Sequence, residues 1–105
     1  MTFKIIWSEF AETQLDDIFD YYEKAANIKV AKRLIKEIIQ SPDKLKDAPN
    51  LGQVEPLLVK RNIQYRYLVT KNFKLIYSVG TQNRCIKIAD VFDTRQNPTK
   101  MKRLK

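Results

Sequence analysis

The side chains able to do chemistry in this chain are few, and most of them are cations. The 105 residues include no histidine and a single cysteine, Cys85. Histidine-dependent triads and histidine- or cysteine-based metal clusters are therefore excluded, and one thiol makes no internal disulfide. What remains is charge. The chain carries a net +8, unevenly spread: residues 1–59 hold eight Lys/Arg against ten Asp/Glu, whereas residues 60–105 hold twelve against only Asp90 and Asp93. A field of that kind draws polyanions such as nucleic acid, a ribosome, a membrane surface or an acidic protein segment. Arg66 and Lys74 interrupt runs that are otherwise apolar and aromatic, which suits either an exposed sheet face or a binding site. Arg95 stands just past the last such run, where loops carry function. Lys100, Lys102 and Arg103 continue the basic surface. Glu55 is a formal candidate for a base, but it falls in a loop.

The elements that must position these groups can be read from periodicity. Phe3–Trp7 reads as a strand. Ser8 is an N-cap, with Glu9 and Glu12 in the first turn of a helix. Ala11, Leu15, Ile18, Phe19 and Tyr22 then form one helical face, closed by Ala25, Ala26 and Asn27. A second helix buries Val30, Ala31, Leu34, Ile35 and Ile38. Ser41-Pro42-Asp43 stops it or begins a fresh turn, and Leu45 continues the apolar face. Pro49, Asn50, Gly52 and Pro56 mark a loop, with Gly52 serving a turn. Ile63–Thr70, Phe73–Gly80 and Cys85–Phe92 read as a three-stranded meander with short connections at Lys71-Asn72 and Thr81–Arg84. Tyr65, Tyr67 and Tyr77 suit sheet packing with wetted hydroxyls. Asp93–Lys105 reads as a short helix or a mobile tail. The order strand-helix-helix-strand-strand-strand gives an α+β domain over residues 1–105. Two antiparallel helices pack on an antiparallel sheet, and the first strand lies at its edge or beside the last strand. No run approaches the ~18 apolar residues of a membrane span. The first residues lack the layout of a secretory signal, so a cytoplasmic protein is expected.

Order and residues together resemble the RelE/ParE toxin family over nearly the whole chain. The resemblance rests on Ser8-Glu-Phe-Ala11, Leu15-Asp-Asp-Ile18-Phe-Asp-Tyr-Tyr22 and Ala31-Lys-Arg-Leu-Ile35, followed by the Pro49-Asn-Leu-Gly52 corner. It continues through Tyr65-Arg66-Tyr67-Leu68, Phe73-Lys-Leu-Ile-Tyr77 and Ile88-Ala-Asp-Val91-Phe-Asp-Thr-Arg95-Gln-Asn-Pro98. It implies the toxin of a type II toxin–antitoxin, or plasmid-stabilisation, system, inhibitory to growth and neutralised by an acidic antitoxin. One branch of the family poisons DNA gyrase, and the other cleaves ribosome-bound mRNA. No cofactor and no metal are implied.

Cleavage by the ribose 2′-hydroxyl needs a base, charge stabilisation at phosphorus and an acid for the leaving oxygen. Guanidinium groups serve the second need, because their planar fork grips two phosphate oxygens. By the resemblance, Arg66, Lys74 and Arg95 occupy the family's basic cluster and would be catalytic in a ribonuclease. With Lys100, Lys102 and Arg103 they would otherwise bind nucleic acid or the protein target. The chain departs from the nuclease pattern: it has no histidine, no tyrosine follows Tyr77, and Lys74 stands where arginine is common. Those departures favour gyrase inhibition. A non-toxic basic nucleic-acid-binding module and an inactive family member kept for partner binding are the alternatives. A further expectation is geometric. Arg66, Lys74 and Arg95 should converge on one concave surface if the hairpin loop between the first two is odd in length. A two-residue turn would instead set positions 66 and 74 on opposite faces.

Overall fold

The computed structural model describes residues 2–104; Met1 and Lys105, the ends of the expected domain and tail, lie outside the described residues. β1 (Lys4–Trp7) leads into α1 (Glu9–Ala25) and α2 (Ile28–Gln40), followed by a 3₁₀ turn at Ser41–Leu45. Then come β2 (Gln53–Val54), a 3₁₀ turn at Pro56–Leu58, β3 (Arg66–Thr70), β4 (Phe73–Gly80), β5 (Cys85–Asp93) and a closing 3₁₀ turn at Pro98–Arg103. The helix boundaries follow from side chains that replace missing backbone partners. Ser8 Oγ accepts from the Ala11 amide at 3.0 Å and donates to the Ala89 carbonyl at 3.2 Å, so the cap of α1 is tied to β5 as well. Asn27 Oδ1 accepts from the Val30 amide at 2.9 Å and starts α2 after a connection of only two residues. The buried side of α2 is Ala31, Leu34, Ile35 and Ile38. Val30, expected among them, is 37% exposed on the helix shoulder.

The five strands order as β1-β5-β4-β3-β2. All pairs are antiparallel except β1–β5, which is parallel, with Lys4 opposite Cys85 and Trp7 opposite Ile88. The first strand is thus both at the sheet edge and beside the last strand. Two differences from the sequence reading concern the other edge. Gln53-Val54, expected within a loop, pairs with Tyr67 and Arg66 as a fifth strand. It ends at Pro56, whose ring removes the next backbone donor and opens a 3₁₀ turn. The Glu55 amide still donates to the Tyr65 carbonyl at 2.9 Å, but the paired ladder begins at Arg66, so β3 starts there and not at Ile63, which is 51% exposed.

Alternation along the strands divides the core in two. On the helix side, Leu15 and Ile38 pack on Phe73, Leu75 and Val91, while Ala11 and Leu45 pack on Leu68, Tyr77, Ile86 and Ile88. The other side is also covered. Leu58 and Tyr65 from the segment before β3, and Met101 and Leu104 from the C-terminal segment, pack on Ile76, Ala89 and Phe92. With Met101 and Leu104 only 2% and 7% exposed, the C-terminal residues form a wall of the core.

Candidate functional site

The relative positions of Arg66 and Lys74 follow from the hairpin turn. β3 and β4 are joined by Lys71 and Asn72 alone, Lys71 taking a left-handed φ of 55°. Thr70 therefore pairs with Phe73, Val69 with Lys74 and Arg66 with Tyr77. Lys74 shares its face with Val69 and Tyr67, whereas Arg66 shares the helix-side face with Tyr77 and Leu68. The expected convergence of Arg66, Lys74 and Arg95 is overturned by that two-residue turn. Arg95 is remote from Arg66 as well. It follows Asp93, which pairs with Phe73 at the far end of the hairpin, about 13 Å along β3 from Arg66 at ~3.3 Å per residue.

Each cation has its own anchor. Arg66 Nη1 donates to the Gly52 carbonyl at 2.8 Å and to the Asn50 carbonyl at 3.4 Å. Beside it the fully buried Tyr77 hydroxyl accepts from the Gly52 amide and donates to the Pro49 carbonyl, both at 2.9 Å. Burial pushes the Tyr77 hydroxyl above its ordinary pKa, and the Gly52 bond and the Arg66 charge pull it back in part. Gly52 has a specific reason to be glycine, which is not the turn expected from sequence. A Cβ there would lie 2.5 Å from the Tyr67 carbonyl oxygen and 2.6 Å from the Tyr77 hydroxyl. The Pro49–Gly52 corner is thus pinned against the sheet by Arg66 and Tyr77.

On the opposite face Lys74 Nζ bonds Glu55 Oε1 at 2.8 Å and lies 4.1 Å from the centre of the Tyr67 ring. The Glu55 side chain is wholly buried, and its other oxygen accepts from the Leu57 amide at 3.1 Å, capping the turn that follows. Glu55 is thereby a structural acid, and Lys74 its counter-ion.

Arg95 grips Asp93 through two nitrogens, Nε at 3.0 Å and Nη2 at 2.7 Å, and donates to the Tyr22 hydroxyl at 3.2 Å. The Asp93 carboxylate also accepts from the Arg95 amide and from Asn72. The Arg95 hydrogen bond is the main reason its pKa falls to about 2, against the opposing effect of partial burial. This group borders a cleft of about 570 Å³ between α1 at Gln14, Asp17 and Tyr21 and the end of β5.

Of the late basic residues, Lys100 and Lys102 are exposed. Arg103 is not a free binding group. Its Nη2 and Nε meet the two oxygens of the buried Asp90 at 2.9 and 3.2 Å, and its guanidinium lies between the Phe10 and Phe92 rings. Burial raises the Asp90 pKa, and the Arg103 bonds counter it in part. Glu55, Asp90, Asp93 and Tyr22 were the partners that sequence reasoning missed. Asp90 did carry a signal: an acid inside Ile88-Ala-Asp-Val-Phe92 must meet a cation if its side chain turns inward. Among the described residues no cluster of acids, histidines and cysteines suits a metal ion.

Comparison with known proteins agrees with this architecture. Residues 5–98 match the model of the ParE toxin of type II toxin–antitoxin systems. Among solved structures, the chromosomal ParDE system of P. aeruginosa superposes with a TM-score of 0.72 at 20% identity, covering 88% of this chain and 96% of that one. The YoeB dimer of Staphylococcus aureus gives 0.51 at 22% identity, with 87% and 95% covered. A mutant of the E. coli toxin RelE in the free state gives 0.54 at 10% identity over the full length of both chains. At these identities the likeness is one of fold. No curated protein matches the sequence.

Proposed function

The chain belongs to the ParE toxin family of type II toxin–antitoxin systems, and we propose that it arrests growth by binding DNA gyrase and does not cut RNA. The observation that carries this reading is the separation of Arg66, Lys74 and Arg95. One is fixed to loop carbonyls on the helix side of the sheet. One neutralises a buried glutamate on the other side, and the third is held by Asp93 at the far end of the hairpin. Charge growing at phosphorus needs donors that point at one place before the reaction begins. Three cations on two faces, each already engaged, offer no such place, and Glu55 is held as a counter-ion beneath Lys74.

Some of the cations left for a partner lie on the side covered by the C-terminal segment. Lys100, Lys102 and Lys60 are exposed there, and Arg61 donates to the Lys102 carbonyl at 2.8 Å, joining the two covering segments. This surface and Arg95 are where the target is bound, and Lys100 and Lys102 steer the encounter. The neutralising partner is an acidic antitoxin, attracted by the positive balance of residues 60–105 and held by apolar burial. A cytoplasmic location follows from both targets; no helix among the described residues is long and apolar enough to cross a membrane.

Controlled expression with parallel measurement of plasmid supercoiling and of RNA integrity tests the reading. Growth arrest with lost negative supercoiling and intact RNA is the expected result. Cleavage of ribosome-bound mRNA, abolished by Arg66→Ala and Arg95→Ala while supercoiling persists, would replace it with the ribonuclease. Absence of both effects and of growth arrest would leave a binding module without toxicity.

A further inference from the structure

The segments that cover the second face of the sheet hold more apolar surface than the core uses. Residues 56–65 and 98–104 set Leu58, Tyr65, Met101 and Leu104 against the strands. Leu57, Val59 and Ile63 take no part in that core and stay 39%, 63% and 51% exposed. One aliphatic side chain left in water is ordinary, but three within one short irregular segment form a patch. The charges around them are of one sign. The two segments contain Lys60, Arg61, Lys100, Lys102 and Arg103 and no Asp or Glu. Arg103 is engaged by Asp90; among the described residues the other four form no ion pair.

The patch has a shape as well as a charge. Two clefts meet at Lys60 and Arg61. One of about 510 Å³ is lined by Leu57, Val59 and Lys102, and one of about 330 Å³ by Asn62, Ile63 and Tyr65. The Arg61 guanidinium, donating to the Lys102 carbonyl at 2.8 Å, ties the ridge between them to the C-terminal segment. Such a surface discriminates between kinds of polyanion. Nucleic acid offers phosphates to cations and bases to aromatic rings. Tyr65 is the sole aromatic residue of either segment and is buried, so no ring is left for a base to stack on. The segments are 3₁₀ turns and loop, without the helix or two-stranded ribbon that enters a major groove. Phosphates would also leave the three aliphatic side chains in water. A polypeptide carrying both acids and aliphatic side chains uses the whole patch.

We propose that this patch recognises the protein surface of the target and not its DNA: an acidic segment whose aliphatic side chains enter the two clefts while its carboxylates meet Lys60 and Lys102. The proposal rests on the gyrase reading given above and narrows it. The two halves of the patch have separable roles. Exposed lysines at the rim steer the encounter and set its rate, whereas aliphatic side chains buried in the clefts set the lifetime of the complex.

Surface plasmon resonance of purified gyrase over the immobilised full chain, without DNA, is the test, run beside a supercoiling assay. The wild type binds the enzyme in the absence of DNA, and its association slows as salt rises. Lys60→Ala with Lys102→Ala slows association about fivefold and flattens that salt dependence, with dissociation almost unchanged. Val59→Ser with Ile63→Ser leaves association alone and speeds dissociation about tenfold. All four side chains are exposed, so both variants should fold, which far-UV circular dichroism checks. Leu57→Ser replaces the aliphatic pair if that pair does not fold, and the wild-type salt series replaces the lysine pair. Variants that bind and inhibit like the wild type overturn the proposal while leaving the gyrase reading intact. A wild type that binds gyrase only when DNA is present, or binds a bare duplex or a single-stranded oligonucleotide as tightly, also overturns it and assigns the patch to nucleic acid. A wild type that neither binds nor inhibits gyrase removes the reading and the proposal together.

Discussion

The two faces of the sheet are covered by different means. On the helix side, regular apolar rows from α1 and α2 meet Leu68, Phe73, Leu75 and Val91, and the contact is almost wholly hydrocarbon. On the other side the cover is irregular chain, residues 55–65 and 98–104. It has few large side chains, and two buried ion pairs, Lys74–Glu55 and Arg103–Asp90, fasten it. A periodic segment can bury a continuous stripe and leave its charges in water. An irregular one cannot, and it uses charged groups from the strands as staples. Several cations of the basic C-terminal half are therefore structural here, which is why a surplus of charge in the sequence overstates the surface available to an anionic target.

The contrast is broken most directly at a staple. Arg103→Ala leaves Asp90, 0% exposed, without its cation, and the expected loss is about 3 kcal/mol in urea unfolding. The double variant Arg103→Met with Asp90→Leu removes both charges and should recover most of that loss. A double variant no more stable than the single one would show that the guanidinium holds the tail by packing between Phe10 and Phe92, not by charge.

The helix side should behave as a hydrocarbon core. Leu15→Ala, at a position 9% exposed, is expected to cost about 2–3 kcal/mol, the lower part of the range for buried leucine because the side chain is not wholly withdrawn from water. The loss should be the same at low and high salt. A strongly salt-dependent loss would erase the distinction between the two faces.

These differences also explain what could be read from the sequence. The αα-hairpin was legible because Ser8 is a local cap and Ala11, Leu15, Ile18 and Tyr22 repeat at helical spacing, although Asn27, which reads as the close of the first helix, caps the second. Both signals lie within a few residues of the structure they specify. The meander was legible for the same reason. The cover of the second face was not, since Met101 and Leu104 are single apolar residues among basic ones, without periodicity. The two-residue strand at Gln53-Val54 has no pattern of its own and exists because β3 offers an edge. The site suffered most. Whether Arg66 and Lys74 share a face depends on the parity of one turn, and the anchors Glu55 and Gly52 are brought to them by folding.

Between the two faces lies the Pro49–Gly52 corner, and Tyr77→Phe measures how firmly it is held. Loss of the buried hydroxyl removes one hydrogen bond to the Gly52 amide and one to the Pro49 carbonyl, at an expected cost of about 1–2 kcal/mol. Hydrogen exchange at the Gly52 amide should accelerate in the same variant. Unchanged exchange would mean that Arg66 alone pins the corner.

The smallest effect belongs to the exposed end of the hairpin, where Asp93 and Arg95 meet. Asp93 has a folded pKa of about 2 against an ordinary value of 3.8. Its pKa is depressed, so the folded state holds the charged form more strongly than the unfolded chain does. The resulting stability is complete above the unfolded pKa and is lost as the carboxylate takes up a proton, between about pH 4 and pH 2. Arg95 is largely exposed, so solvent screens the pair, and about 1 kcal/mol is the reasonable size. Other carboxylates titrate in the same window, so the comparison must be differential. Urea unfolding of the wild type and of Asp93→Asn should differ by that amount at pH 6 and converge by about pH 2. A constant difference across the window would assign the Asp93 contribution to its bonds with Asn72 and the Arg95 amide, which an asparagine only partly keeps. A pair this weak can open at modest cost, so Arg95, alone among the three candidate cations, can leave its anchor to meet a target. Lys74 and Arg66 would have to abandon a buried glutamate or a pinned corner to do the same.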